Sequence, residues 1–146
     1  MQLSTLVKAA ILVAVVFFAW KWWSGRQAQA PATQQTTSPA VNCVSTARGA
    51  SEYWGSNLHA FANPPYNMDA WSEFKSHVDE QISRAQSKCD CSDDACAKAK
   101  QAMGELGALV GEMDSAIRSG SPPPSDAVQR QERIDDALNA AGDAAK

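Results

Sequence analysis

Four cysteines are the residues of this sequence whose type and spacing could do chemistry. Cys89, Cys91 and Cys96 fall within eight residues, and Cys43 comes well before them. An even number of cysteines in a small domain is typical of structural disulfides, which form in oxidising compartments. Clustered cysteines can also bind a metal or exchange thiols. The same four sulfurs therefore support three hypotheses: staples, a metal site and a redox pair.

The spacing favours staples. A catalytic thiol pair usually reads Cys-x-x-Cys beside a strand–helix–strand pattern, whereas this chain has Cys89-x-Cys91 and no strand pattern. Zinc knuckles also recur as Cys-x-x-Cys pairs, and only Cys89-x-Cys91 comes close to that spacing. We therefore expect two structural disulfides and no bound metal, with a metal or thiol carrier as the alternative of another class.

Two pairings of the cysteines fit the chain. If Ser92 caps the third helix, Cys91 and Cys96 occupy the positions that pack together in a hydrophobic staple. Cys43 would then pair with Cys89 and close a loop of about 46 residues. The swapped pairing, Cys43 with Cys91 and Cys89 with Cys96, stays open. A bridge between Cys89 and Cys91 would close a strained, tight ring.

Helical patterns position these cysteines. The chain reads as an all-α protein whose residues 43–146 form a small up-and-down antiparallel bundle of three to four helices stapled by disulfides. Residues 43–91 form a helical hairpin, residues 92–118 a third helix and residues 125–144 a weakly packed fourth helix. In such a bundle all four sulfurs meet at one pole. Each helix carries a stripe of mostly apolar residues three and four positions apart that should face the core. In the first helix, from about residue 44 to 62, these are Ala47, Ala50, Trp54, Leu58 and Phe61, and in the second, from about 68 to 88 with Asn67 as its cap, they are Trp71, Phe74, Val78, Ile82 and Ala85. In the third helix they are Cys96, Ala99, Met103, Leu106, Val110, Met113 and Ile117, and in the fourth, capped by Ser125, they are Ala127, Gln131, Ile134, Leu138, Ala141 and Ala145.

Three glycines lie on another face of the third helix: Gly104, Gly107 and Gly111. Each costs about 1 kcal/mol of helix propensity relative to alanine. Close approach of another helix is the usual compensation. We expect that helix to be the fourth one of this chain, and the alternative is that the glycines form an interaction face for a partner helix.

The N-terminal region is predicted to be a membrane anchor. Residues 1–23 contain enough apolar sequence for a signal-anchor transmembrane helix. Trp20, Lys21, Trp22 and Trp23 resemble an aromatic belt at the membrane interface with a cationic anchor. A cleaved signal peptide is the alternative, because residues 28–30 read Ala-Gln-Ala, but Pro31 should hinder cleavage there. Residues 24–42 are rich in Gln, Ala, Thr, Ser and Pro and predict a disordered polar linker.

The net charge of the domain and its cysteines indicate which partners and which location to expect. The domain after residue 42 holds all 16 acidic residues and 10 of the 13 basic ones, a net charge of −6. An acidic domain is a poor match for nucleic acid or for anionic lipid. Charges flanking the apolar run do not decide the orientation. The expected disulfides indicate the orientation, because disulfides form outside the cytoplasm. We therefore expect the anchor to lie in the inner (cytoplasmic) membrane and the domain to lie in the periplasm or extracytoplasmic space.

The sequence offers no convincing catalytic set. His59 and His77 are the two histidines, and their offset along the helical hairpin keeps them from sharing a metal. No nucleophile elbow, phosphate-binding loop or metalloprotease motif occurs. A slim helical bundle also rarely has a pocket with convergent polar groups. We therefore expect a protein that is not an enzyme and that has no cofactor and no small-molecule substrate.

These features lead to one expected function and two alternatives. The leading hypothesis is a membrane-anchored interaction module, an accessory subunit of a membrane assembly that binds a protein partner in the cell envelope. A periplasmic inhibitor or immunity protein acting against a toxin or hydrolase is the alternative of the same class. The metal or thiol carrier built on Cys43, Cys89, Cys91 and Cys96 is the alternative of another class.

Overall fold

Four α-helices and one short 3-10 helix form the part of the chain that the computed structural model describes, residues 37–146. The all-α class and the helical bundle predicted from the sequence are confirmed. The predicted membrane anchor and most of the predicted linker lie outside the described residues. Within residues 37–146, no helix is long and apolar enough to cross a membrane. The elements are α1 (Pro39–Asn57), the 3-10 helix (Leu58–Phe61), α2 (Met68–Lys88), α3 (Asp94–Arg118) and α4 (Ala127–Ala144).

Contacts between neighbouring helices give an up-and-down topology. Each helix packs antiparallel to the next, α4 returns to α1, and α1 also contacts α3 across the middle. Polar contacts join three of these neighbouring pairs of helices. They are Trp71 with Asp114 (α2 and α3), Arg130 with Glu112 (α4 and α3) and Arg48 with Asn139 (α1 and α4).

α1 begins earlier than its apolar stripe indicates. The hydroxyl oxygen of Ser38 accepts a hydrogen bond from the backbone N–H of Val41 at 3.2 Å. Pro39 then occupies the first helical turn, where its missing N–H leaves no hydrogen bond unmade. Ala40 is already buried. Residues 39–42 therefore belong to α1 and not to the linker in which the sequence prediction placed them.

The boundaries of α2 match the prediction. The side-chain oxygen of Asn67 accepts hydrogen bonds from the backbone N–H groups of Asp69 and Ala70, both at 3.1 Å. These bonds satisfy two of the donors that a helix start leaves without partners. Asp69 in the first turn and Lys88 in the last also suit the helix dipole.

The caps of α3 and α4 each fall one residue beyond the predicted serine. Asp93, not Ser92, is the N-cap residue of α3, and Asp126, not Ser125, is that of α4. Neither aspartate side chain makes a capping hydrogen bond. At α3 a disulfide crosses the first turn, so a covalent bond fixes the start of this helix.

The end of α3 requires a glycine. Gly120 has a positive φ of 68°, in the left-handed region that glycine enters without a Cβ clash. Its N–H donates to the carbonyl of Ile117 at 3.0 Å, and the N–H of Ser121 donates to the carbonyl of Ala116 at 2.8 Å. This pair of bonds is the Schellman motif. The Tyr66 hydroxyl donates to the Ser121 carbonyl at 2.9 Å and so ties the α1–α2 loop to this turn.

One apolar cluster fills the bundle. Trp54 and Trp71 are fully buried at its centre, and Phe61 and Phe74 pack against them with ring centroids 5.1 to 5.8 Å apart. Phe74 stacks on Trp54, whereas Phe61 meets Trp71 edge to face. Leu58, predicted for the same stripe, is only half-buried. The predicted α2 and α3 stripes are buried throughout, and α3 buries a second row that the sequence analysis did not single out: Ala95, Ala102 and Leu109.

α4 contributes the least to this core. Its two large fully buried side chains are Ile134 and Leu138, which pack with alanines against α3 and α1. Val128, by contrast, is 66% exposed. The thin apolar stripe predicted for this helix is therefore present, but Gln131 in its middle makes polar contacts.

Candidate functional site

The cysteines form two disulfides at the pole where α1 begins, α2 ends and α3 begins. Cys43 pairs with Cys89 across 46 residues with Cα atoms 4.7 Å apart, and Cys91 pairs with Cys96 across five residues with Cα atoms 5.8 Å apart. This is the first of the two pairings that the sequence left open. Three of the four cysteines are buried and Cys91 is half-buried. The first bridge locks the α1–α2 hairpin, and the second locks the entry into α3.

The same pole holds the atoms of a conceivable metal site. The sulfurs of Cys91 and Cys96 and the carboxylate of Asp93 lie within 4.8 Å of one another. A metal binds the thiolate form of cysteine, and every cysteine of residues 37–146 is in a disulfide. A carrier role would therefore begin with reduction of the Cys91–Cys96 bridge.

The glycine face of α3, formed by Gly104, Gly107 and Gly111, is open. A Cβ atom built at any of the three meets no atom of residues 37–146 within 4 Å. The expectation that α4 packs closely on these glycines is therefore wrong. Residues on the opposite side of α3, such as Leu109, face the core instead. The helix carries the propensity cost of three glycines without a compensating contact in the described part of the chain.

The close approach expected for the glycine face occurs at Gly142 in α4. A Cβ at this position would collide with the guanidinium of Arg48, which lies across α4. The Arg48 Nη2 atom donates hydrogen bonds to the carbonyl of Leu138 at 3.3 Å and to the side-chain oxygen of Asn139 at 3.2 Å. Gly142 thus lets an α1 side chain reach over α4 to its backbone.

Beside this contact lies a polar cluster between α1 and α4. Ser51 is 1% exposed, and its hydroxyl donates to Asp135 Oδ1 at 2.7 Å. Gln131 Nε2 donates to the Ser51 hydroxyl oxygen at 2.7 Å and to Asp135 Oδ1 at 3.0 Å. Each of these three side chains thus bonds both others. A closed triangle of this kind fixes the register of α4 on α1.

A cavity of about 360 Å³ opens next to the triangle, and we call it the α1–α4 cavity. Two buried polar atoms at this interface, Arg48 Nε and Gln131 Oε1, have no hydrogen-bond partner among the described residues. Glu52, on the α1 wall, also makes no ion pair there. The cavity is lined by Arg48, Ser51, Glu52, Gly55, Ser56, Gln131, Asp135, Leu138 and Asn139.

Sequence reasoning missed this cluster, although its signal was present. Gln131 sits at a core position of the α4 stripe, and Ser51 follows directly on the α1 core residue Ala50. A polar residue at a core position of each of two facing helices indicates a buried hydrogen bond between them. The sequence did not show that Ser51 and Gln131 face each other, because their proximity depends on how α4 packs against α1.

Trp71 and Asp114 form a second polar contact, between α2 and α3. The indole N–H of Trp71 donates to Asp114 Oδ1 at 2.7 Å, and Arg118 pairs with the same carboxylate at 3.0 Å. Burial raises the pKa of the Asp114 carboxyl, and the hydrogen bonds from Trp71 and Arg118 outweigh it, so the pKa lies below its usual value.

The other residues singled out in the sequence do not join these sites. His59 and His77 are exposed and belong to different elements of the hairpin. The membrane-interface residues Trp20, Lys21, Trp22 and Trp23 lie outside the described part of the chain, as does the rest of the predicted anchor. The site residues that the structure brings together are thus the four cysteines at one pole and the three glycines along one face.

Fold and site together define a class: a four-helix up-and-down bundle with two disulfides at one pole and a polar contact between its first and last helices. Comparison of the chain with models of protein families, with curated proteins and with solved structures gives no match.

Proposed function

We propose that the protein is a membrane-anchored, extracytoplasmic interaction module, an accessory subunit of an envelope assembly whose α3 glycine face docks a helix of a protein partner. It is not an enzyme in this proposal. The apolar residues 1–23 would hold it in the inner membrane as a single-pass anchor, and residues 37–146 would lie in the periplasm or extracytoplasmic space.

The open glycine face is the observation that carries this proposal. Gly104, Gly107 and Gly111 lie in the middle of a 25-residue helix, and a Cβ added at any of them would meet nothing within 4 Å in residues 37–146. Alanine at each position would fit and would stabilise the helix by about 1 kcal/mol. Small residues allow another helix to approach closely, so a partner supplies the contact that the bundle does not.

The disulfides support the extracytoplasmic location. Both bridges lie at the pole where α1 begins. Disulfides persist in oxidising compartments and are rare in the cytosol. The two disulfides also cross-link the bundle, so the glycine face of α3 is held on a rigid support for binding a partner.

The test uses Gly107→Leu in the full-length chain. The added side chain enters open space, so we expect the bundle to keep its circular dichroism spectrum and both disulfides. A photo-crosslinking amino acid at Ala108, which is exposed beside the glycine face, identifies the partner in native membranes. We expect one dominant crosslinked protein, and we expect the Gly107→Leu change to remove it.

Gly49→Leu is the matched control. Gly49 is exposed in the middle of α1, and a Cβ there also meets nothing within 4 Å. This variant should retain the partner. Equal capture by the Gly107→Leu variant and the wild-type chain would exclude α3 as the docking face. A crosslinked partner that is an enzyme, inhibited on binding at equimolar ratio, would assign the inhibitor or immunity version of the function.

The carrier alternative has its own readout. It requires reduced cysteines and about one equivalent of metal in protein purified from its membrane. Alkylation of the purified chain before and after denaturation counts free thiols. Four protected, disulfide-bonded cysteines would exclude the carrier, and reactive thiols at Cys91 and Cys96 would favour it over the interaction module.

A further inference from the structure

We infer that the helix docked on the glycine face of α3 is α3 of a second copy of this chain, aligned parallel to the first. The inference rests on the proposed function, because it names the partner for the docking face proposed there. Two observations carry it: the spacing of the exposed residues of α3, and the charges on either side of them.

The exposed face of α3 has a heptad pattern of its own. Six exposed residues follow one another in steps of four and three, as the d and a positions of a coiled coil do. Five of the six are alanine, glycine or serine, whose small side chains let two helices approach closely. We call this row the outer seam, and its residues are Ala97, Gln101, Gly104, Ala108, Gly111 and Ser115.

The outer seam ends at charged residues that are already paired. Asp94 and Arg118, the first and last residues of α3, continue the same spacing. Asp94 binds Lys98 at 2.6 Å and Arg118 binds Asp114 at 3.0 Å, each within its own helix. Neither end of the seam therefore brings an unpaired charge against its own copy.

The charges beside the outer seam select a parallel copy of the same helix. In a parallel coiled coil the g position of one helix meets the e position of the next heptad on its partner. Lys100 occupies such a g position, and the e position that it meets is the partner's Glu105. The two-fold symmetry of the pair forms this contact twice. Glu105 has no ion pair within residues 37–146, and Lys100 has one with the largely exposed Asp90 at 3.8 Å.

The remaining flanking positions bring no like charges together in the parallel alignment. One further pairing joins opposite charges, and the other two contain an uncharged member. These pairings are Asp93 with Lys98, Gly107 with Glu112, and Asp114 with Ser119.

An antiparallel pair would be less favourable for two reasons. Its e positions face e positions, so Glu105 and Glu112 of both copies would come together, and facing like charges oppose association. It would also place the two starts of α1 at opposite ends of α3, which is 25 residues or about 38 Å long. A parallel pair keeps both starts at one end, as two chains anchored in one membrane require.

Confinement to a membrane compensates for a small contact. Alanine and glycine bury little apolar surface, and a net charge of −6 on each domain opposes association. Two chains anchored in the same bilayer meet at a high effective concentration. We therefore expect the pair to form when both chains lie in one membrane.

The experiment traps the pair with Ser115→Cys in the full-length chain in lipid vesicles. Ser115 is an exposed residue of the outer seam, and a parallel pair brings its two copies together. Every cysteine of residues 37–146 is already in a disulfide, so the added thiol is the reactive one. We expect mild oxidation to give a disulfide-linked dimer on non-reducing electrophoresis. Ser76→Cys, at an exposed serine of α2, is the control for random collisions.

Exchange of the flanking charges tests the alignment. Lys100→Glu should lower the amount of Ser115→Cys dimer about fivefold, because both symmetric contacts become repulsive. Glu105→Lys should have the same effect, and the two changes combined should restore the dimer. Lys88→Glu is the matched control, since it makes the same change of charge at an exposed position of α2 and should leave the dimer unchanged.

Two results would overturn the inference. The first is a dimer that is no more abundant with Ser115→Cys than with Ser76→Cys. A different protein crosslinked from Ala108 would then leave the docking role of α3 standing, whereas no crosslink from Ala108 would remove that role as well. The second is a Ser115→Cys dimer that neither charge change reduces, which would exclude the parallel alignment.

Discussion

The α1–α2 hairpin and α4 are held in the same bundle by different chemistry. The hairpin has a disulfide between its open ends and a cluster of packed aromatic rings around the fully buried Trp54 and Trp71. α4 has two large buried aliphatic side chains, a set of alanines and a polar triangle with α1. Burial of large rings contributes most of the stability of a core, whereas hydrogen bonds contribute less and require one geometry.

This difference indicates a gradient of stability along the chain. Aromatic burial and a long covalent loop make the hairpin the part that opens last. The apolar side chains that α4 itself would expose on leaving α1 and α3 are Ile134, Leu138 and the small Ala127 and Ala141, and none of them is aromatic. Its polar contacts determine where it docks, because a slip by one turn would leave the buried Ser51 hydroxyl without its acceptor on Asp135. Local opening of α4 should therefore precede global unfolding.

The largest effect should come from removing the staple of the hairpin. Replacing Cys43 and Cys89 together by alanine releases a loop of 46 residues and should lower the free energy of unfolding by about 4 kcal/mol in the chain-entropy model. Replacing Cys91 and Cys96 together releases a loop of five residues and should cost about 2 kcal/mol. Urea denaturation of both double variants measures the difference. A larger loss of free energy of unfolding in the Cys91 and Cys96 double variant would contradict this order and would mean that the start of α3, and not the hairpin, depends most on its disulfide.

A smaller and more local effect should follow from Leu138→Ala. This change removes one of the two large apolar anchors of α4 and should destabilise its docking by about 2 to 5 kcal/mol. Native-state hydrogen exchange should show faster exchange of the α4 amides, while the amides around Trp71 keep their protection. Val128→Ala is the control on the same helix, since Val128 is 66% exposed and its truncation should change stability by about 0.5 kcal/mol at most.

Equal losses of protection in α2 and α4 would contradict the gradient. In that case the two regions unfold as one cooperative unit, and the polar triangle does not mark a boundary between them. Loss of α4 protection alone would show that α4 opens while the disulfide-bonded hairpin stays folded.

The helices and their core faces could be predicted because they depend on local spacing. The apolar stripes of α2 and α3, the Asn67 cap and the position of the cysteines at one pole follow from residue types three and four apart. The early start of α1 was missed because Ser38 and Pro39 continue a Pro- and Ser-containing linker in composition, although they form a helix start in geometry.

The contacts between distant helices could not be read from the sequence. The open glycine face and the crowded Gly142 differ only in which neighbour each one faces, and that depends on the rotation of α3 and α4 about their axes. Ser51 and Asp135 are 84 residues apart, so no local pattern connects them. Spacing thus gave the buried faces, and packing decides which polar and small residues meet.

The smallest expected effect is a pH dependence of stability at the contact between Trp71 of the hairpin and Asp114 of α3. The pKa of Asp114 lies below its usual value in the folded protein, because the hydrogen bonds from Trp71 and Arg118 outweigh burial. A lowered folded pKa means that this carboxylate contributes stability above its unfolded pKa of about 3.9 and loses that contribution as pH falls through the folded value. The difference in free energy of unfolding between the wild-type chain and Asp114→Asn should therefore be about 1 kcal/mol near neutral pH and shrink below about pH 4.

Urea denaturation between neutral pH and about pH 3 measures this difference, with Glu73→Gln as a control that should show no such change. A difference that stays constant to low pH would mean that Asp114 acts through its shape and its contact with Trp71, and that charge has no part in joining α2 to α3.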